Sequence, residues 1–147
     1  MKKRIIIIIS VLLALTAVFT IYHLCTRESV KSGEILVKSS SASTTIKTAE
    51  LQLVEVSGET VNKKGEVKKI NAVGYPVSDI PALCNITDYS ELTVYSDDEY
   101  HADISREELD DHEKAWLISD EGSMRLIVFG DTDSKRYVKN VVRIEVR

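Results

Sequence analysis

The pattern of apolar and polar positions divides the chain into three stretches with different rhythms. From Ile5 to Cys25 the sequence is uncharged and apolar without a period, and it opens with five isoleucines. About 20 apolar helical residues cross the hydrocarbon of a bilayer, and a helix lets one such segment satisfy its own backbone there. Residues 1–25 are therefore expected to form a signal-anchor transmembrane segment. Thr26 to Ala49 holds Ser39–Thr45, made wholly of Ser, Thr and Ala. With nothing large to bury, residues 26–49 read as a mobile Ser/Thr-rich linker.

From Glu50 the rhythm becomes that of strands. Leu51, Leu53 and Val56 alternate with polar residues, although Val54 breaks the period, and Val67 to Val73 returns after a turn at Asn62–Gly65. Gly74-Tyr75-Pro76 stops that strand, and Ser78 is placed to cap a short helix, Asp79 to Cys84, with Pro81 in its first turn. Leu92 to Tyr95 is β-rich and runs into the acidic turn Ser96–Glu99. Ser105-Arg106-Glu107-Glu108 is a capping box that starts a second short helix. Lys114–Ser119 and Met124–Phe129 read as strands joined by a hairpin turn at Asp120–Ser123, and Tyr137–Val146 supplies the last strand or pair. The expectation is an α+β fold: a β-dominated single domain over residues 50–147 with two short helices and no internal repeat.

Charge sharpens this division. Residues 1–49 hold seven Lys/Arg and two Asp/Glu, a net +5, whereas residues 50–147 hold twelve and twenty-one, a net −9. Lys2, Lys3 and Arg4 ahead of the apolar run hold the N-terminus in the cytoplasm, which makes the acidic domain extracytoplasmic. The alternative is a secreted protein released from a cleaved signal peptide. Such signals have a shorter apolar region ending in a small-x-small site, and Leu15-Thr16-Ala17 is not one. Tyr22-His23-Leu24 before Cys25 is too bulky for a lipoprotein signal. An acidic domain argues against nucleic acid, which demands a basic footprint. The two cysteines, Cys25 and Cys84, cannot form a disulfide framework, and Cys84 reads as a small apolar residue on a helix's buried face.

No spacing builds a catalytic centre. His101 lies near Asp97, Asp98 and Asp103, and His112 near Asp110, Asp111 and Glu113, but acidic runs on polar loops are ordinarily solvated. Ser96 and Ser105 lack a nucleophile-elbow motif, the six glycines form no phosphate loop, and Asn85-Ile86-Thr87 is a short glycosylation-like pattern. The cluster Lys135, Arg136, Lys139 and Arg143 stands out because its surroundings are acidic. Cationic forks bind phosphate oxygens, although a strand's solvent face explains the same residues.

Four segments, in order, resemble the sulfite-oxidase-type oxidoreductase molybdopterin-binding domain. Gly74-Tyr75-Pro76-Val77-Ser78-Asp79-Ile80 is similar to its "G-x-P-L-x-D-L-L" stretch, and Leu92 to Tyr100 to its strand running into "S-x-D-G-Y". Met124-Arg125-Leu126-Ile127-Val128 is similar to "P-L-R-L-V", and Arg136 to Val146 to the closing "R-Y-V-K-W-L-x-R-I-E-V". The resemblance covers about Val67 to Arg147 and implies a reduced molybdopterin-binding fold. It also implies that Arg125, Arg136 and Lys139 are cofactor-binding, since they match phosphate-proximal basic positions. The family's molybdenum-ligand cysteine precedes the "G-x-P-L" stretch, and no cysteine lies between Thr26 and Leu83 here. A soft metal needs its thiolate. No metal and no cofactor are therefore expected, although the resemblance leaves room for molybdopterin or another small anionic ligand. The sequence reads as a membrane-anchored, non-catalytic ligand- or protein-binding module. The alternatives are an active molybdopterin-dependent oxidoreductase with an atypical cofactor site and a structural envelope protein whose acidic face docks a basic partner.

Overall fold

Alternating apolar residues build two facing sheets in the computed structural model, which describes residues 2–26 and 30–147, with side chains at 7–22 and from Val30 onward. The first sheet has strands β1 (Glu34–Ser39), β2 (Ser43–Lys47), β5 (Glu91–Ser96), β6 (His101–Ser105) and β9 (Val141–Val146), in the order β2-β1-β9-β5-β6. The second has β3 (Val54–Val61), β4 (Val67–Pro76), β7 (Ala115–Asp120) and β8 (Ser123–Val128), in the order β3-β4-β7-β8. All pairings are antiparallel except β1 with β9, which runs parallel with Val37 opposite Ile144.

One apolar cluster joins the sheets. Ile35, Val37, Leu92, Val94, Ile104 and Ile144 come from the first, and Leu117, Leu126 and Val128 from the second. Period-2 alternation puts these side chains on one face of each strand, and burying each contributes roughly 1.5–3 kcal/mol. The short helices α2 (Ile80–Leu83) and α3 (Arg106–Leu109) seal the cluster with Ile80 and Leu109. The domain is thus β-dominated with two short helices, as its sequence pattern indicates. The capping box is present: the Ser105 hydroxyl accepts from the Glu108 N–H, and the Glu108 carboxylate accepts from the Ser105 N–H. The β7–β8 turn is a two-residue loop with φ 48° at Glu121 and 87° at Gly122, the mirror-image geometry that suits strand twist.

Several expectations are corrected. Residues 34–47, placed in the linker, form the hairpin β1–β2, and β1 lies inside the sheet against β9. Ile35 and Val37 are buried at alternate positions, and the Ser/Thr run Ser43–Thr45 is the exposed start of edge strand β2, where β-branched threonine suits the extended backbone. The folded unit therefore starts near Glu34 rather than Glu50. A further strand, β6, was not expected; it buries Ala102 and Ile104 while His101 points outward. Ser78 does not cap α2. It lies within a 3-10 turn, Val77–Asp79, that precedes the helix, and Asp79 occupies the cap position without a side-chain bond. The last strand is shorter than Tyr137–Val146, because Asn140 adopts φ 49° and breaks it from the preceding loop.

A helix, α1 (Lys2–Thr26), covers the N-terminal apolar run, and its large apolar side chains from Ile7 to Tyr22 are all exposed. Among the described residues no helix is long and apolar enough to cross a membrane. The side chains of Lys2, Lys3, Arg4 and Cys25, on which the topology and lipoprotein arguments rest, lie outside those described, as do residues 27–29 of the expected linker.

A chain truncated to begin at Glu50 should aggregate or melt far earlier than one beginning at Val30, because it strips β1 from β9 and opens a buried sheet edge. Ile35→Ala in the longer chain should cost about 2–4 kcal/mol in denaturant titration. Equal stability of the two truncations would contradict the hairpin's place in the core.

Candidate functional site

The three cations singled out in the sequence do not share a site. Arg125 projects from β8 and pairs with Asp120 across the β7–β8 turn. Arg136 sits in the loop after β8 and spends its guanidinium on two carboxylates. Its Nε donates to Asp131 at 2.9 Å and its Nη1 to both oxygens of Glu108 at 3.0 and 2.9 Å, and a further Nη2 bond reaches Asp131. Lys139 is exposed and lines a polar hollow with Lys63, Ser96, Asp97, Asp98 and Tyr100. Arg143, from β9, stacks 4.0 Å above the Tyr95 ring and pairs with Glu99 at 2.9 Å. Bidentate forks satisfied inside the protein are cross-links rather than anion receptors.

Glu108 is the hub of this arrangement. Burial raises its pKa, but hydrogen bonds from Arg136, the Ser105 backbone and Lys114, whose Nζ lies 3.3 Å away, lower it further, so the net shift is downward. Arg136 is shifted upward, first by its hydrogen bond to Asp131.

The histidines lead elsewhere. His101 lies against Tyr95, with ring centroids 5.2 Å apart. His112 Nδ1 lies 2.9 Å from the Ser78 hydroxyl and 3.6 Å from Asp79, a serine–histidine–aspartate grouping that local spacing did not reveal. In a relay the acid must hold one imidazole nitrogen while the other faces the nucleophile. Here Ser78 and Asp79 meet the same nitrogen of a largely exposed ring, so no relay exists. No group of three or more His, Cys, Asp or Glu residues suited to a metal is found among the described residues.

A further concavity was not anticipated. A hollow of about 780 Å³ has Val56, Gly58, Trp116 and Phe129 along its floor and Glu55, Asp111, Glu113 and Lys114 at its rim. Its volume lies within the ordinary range for ligand sites, about 300–1,000 Å³. The floor belongs to a second apolar cluster of Val56, Ile118 and Ile127, packed by Trp116, Phe129 and Tyr137 on the face of the second sheet turned from the main core. Phe129 lies flat on Gly58, where an added Cβ would come within 2.5 Å of the ring. The Trp116 indole N–H is held by the Glu113 carbonyl at 2.8 Å. Trp116, Ile118 and Ile127 sit on strands whose opposite face is also apolar, and a two-sided strand was the one available signal.

Compared with protein-family models and with curated proteins, the chain finds no match. The segments carrying the molybdopterin-domain resemblance are scaffold in this fold. Leu92, Val94, Met124, Leu126, Val128, Val138, Ile144 and Val146 are all buried in the main cluster. Gly74 is required by close approach, since a Cβ there would meet the Leu117 carbonyl at 2.8 Å. A molybdenum-bound pterin would need a thiolate for the metal and free cations for its phosphate. Cys84 ends α2 and packs on the apolar cluster, and burial raises its pKa, the reverse of a ligating thiol. Arg125 and Arg136 are already neutralised. Among the described residues, Cys84, Arg125 and Arg136 do not fit the group.

Because the Glu108 pKa is depressed in the folded state, its contribution is whole at neutral pH and is lost as pH falls through the folded value. Arg136→Met should destabilise the domain by roughly 1–3 kcal/mol at pH 7. The deficit should shrink below about pH 4, as read from unfolding midpoints. A deficit independent of pH would show that the ion pairs contribute nothing.

Proposed function

We propose that the protein is a membrane-anchored, extracytoplasmic binding module on a reduced sulfite-oxidase-type scaffold, with no catalysis of its own. The observation that carries this reading is the use of Arg136. A residue matched to a phosphate-proximal position is fully engaged by Asp131 and Glu108, so the scaffold has turned a ligand contact into an internal tie. The open hollow over Trp116 and Phe129 supplies a surface for binding. The anchor reading draws on α1, whose apolar character is not confined to one side and whose large apolar side chains from Ile7 to Tyr22 are exposed. The basic residues before it set the orientation.

A second reading, an active molybdopterin-dependent oxidoreductase with an atypical site, draws on the hollow at Lys139. That hollow gathers residues of two matched segments, Ser96–Tyr100 and Tyr137–Asn140. Its two lysines are offset by Asp97 and Asp98, which disfavours a phosphate.

The full chain expressed in cells that make molybdenum cofactor should purify without molybdenum or pterin. Stoichiometric molybdenum, lost on Lys139→Glu with the fold intact, would establish the enzyme instead. In the same cells the chain should resist alkaline extraction from membranes, keep its full mass, and be digested by protease added from outside. A shortened, freely soluble form would mark a cleaved signal.

A further inference from the structure

The lining of the Trp116 hollow includes four consecutive residues of β3, Glu55 to Gly58, and β3 is an edge strand of its sheet. Which of its backbone groups face outward follows from the hairpin. Asn62 N–H donates to the Glu66 carbonyl, and antiparallel pairs alternate between bonded and unbonded. The bonded pairs are therefore Thr60 with Lys68, Gly58 with Ile70 and Val56 with Ala72. The N–H and C=O groups of Glu55, Ser57 and Glu59 then point away from β4, toward solvent. The Val61 N–H, next in that series, does turn outward, where the Tyr137 hydroxyl accepts from it. Tyr137 thus closes one end of the edge and leaves the stretch beside the hollow open.

The charge around this open edge has one sign. Glu55, Asp111 and Glu113 are exposed, and no cation pairs with them among the described residues. Lys114, the one basic residue at the rim, gives its ammonium to Glu108 instead. Glutamates along an edge strand repel a second copy of an acidic domain while welcoming a basic strand. The floor complements this: the faces of Trp116 and Phe129 suit the aliphatic stem of a lysine or arginine and attract its charged end.

We propose that β3 and the adjoining hollow bind an extended basic segment of a partner protein by strand addition. The partner's backbone bonds to Glu55, Ser57 and Glu59, and a lysine or arginine lies over Trp116 with its charge toward Asp111 and Glu113. The inference rests on the binding-module reading and names the class of partner for it.

Trp116 is the chain's one tryptophan, so its fluorescence reports on this site alone. The full chain in neutral detergent is titrated with a peptide of alternating lysine and valine. The peptide should shift Trp116 emission saturably, and binding should weaken as salt is raised. The exposed double variant E55Q/E113Q should weaken it about tenfold. The same peptide N-methylated at alternate residues, unable to pair along one edge, should not bind. Four results would overturn the proposal: no emission change, equal binding of a glutamate–valine peptide, indifference to E55Q/E113Q, or undiminished binding of the N-methylated peptide. An emission change that depends only on protein concentration would overturn it too, by assigning the groove to a second copy. Molybdenum in the purified chain would remove the module reading and leave the peptide result standing. A peptide failure in a molybdenum-free chain would remove this inference alone.

Discussion

The carboxylate of Glu108 is the point on which the accessible part of this fold turns. As the third residue of α3 it closes the capping box with Ser105, and both its oxygens receive Arg136 while Lys114 approaches from the start of β7. One side chain therefore ties a helix, the long loop after β8 and the strand that carries Trp116. A half-buried carboxylate is tolerable only because three donors and two positive charges surround it. The same arrangement draws Lys114 away from the groove. What holds the loop in place also sets the groove's electrostatics.

Sequence alone revealed most of the second sheet and of the core. Strands β4, β5, β7 and β8 announce themselves through β-branched runs and turn residues, and the capping box at Ser105 is a local signal with a local cause. Strand β1 was missed because a six-residue strand followed by a Ser/Thr tract looks like a linker until its partner is known. That partner, β9, lies about a hundred positions away, as the pairing of Val37 with Ile144 shows. Strand β6 was hidden by its charged outer face. The groove was invisible because Glu55, Asp111, Trp116 and Phe129 are brought together by the pairing of distant strands, and no spacing encodes that.

The cations show how composition misleads about sites. An acidic domain with a basic cluster suggests an anion receptor, yet Arg125, Arg136 and Arg143 each meet a carboxylate. In a chain with this excess of acids, the cheapest use of an arginine is to neutralise a neighbour whose burial would otherwise carry a penalty. Counting charges finds the cluster, and only the geometry shows that its arginines already meet carboxylates.

The parallel contact between β1 and β9 has a bearing on how the molecule matures. The sheet's central seam joins β1 to β9, so it cannot close until translation has delivered the residues up to Val146. Distant contacts of this kind slow folding, since a large loop must be ordered before they form. Until then the β1–β2 hairpin carries an unsatisfied flank that any strand can occupy. At typical elongation rates of roughly 5–20 residues per second, a newborn chain is exposed there for seconds.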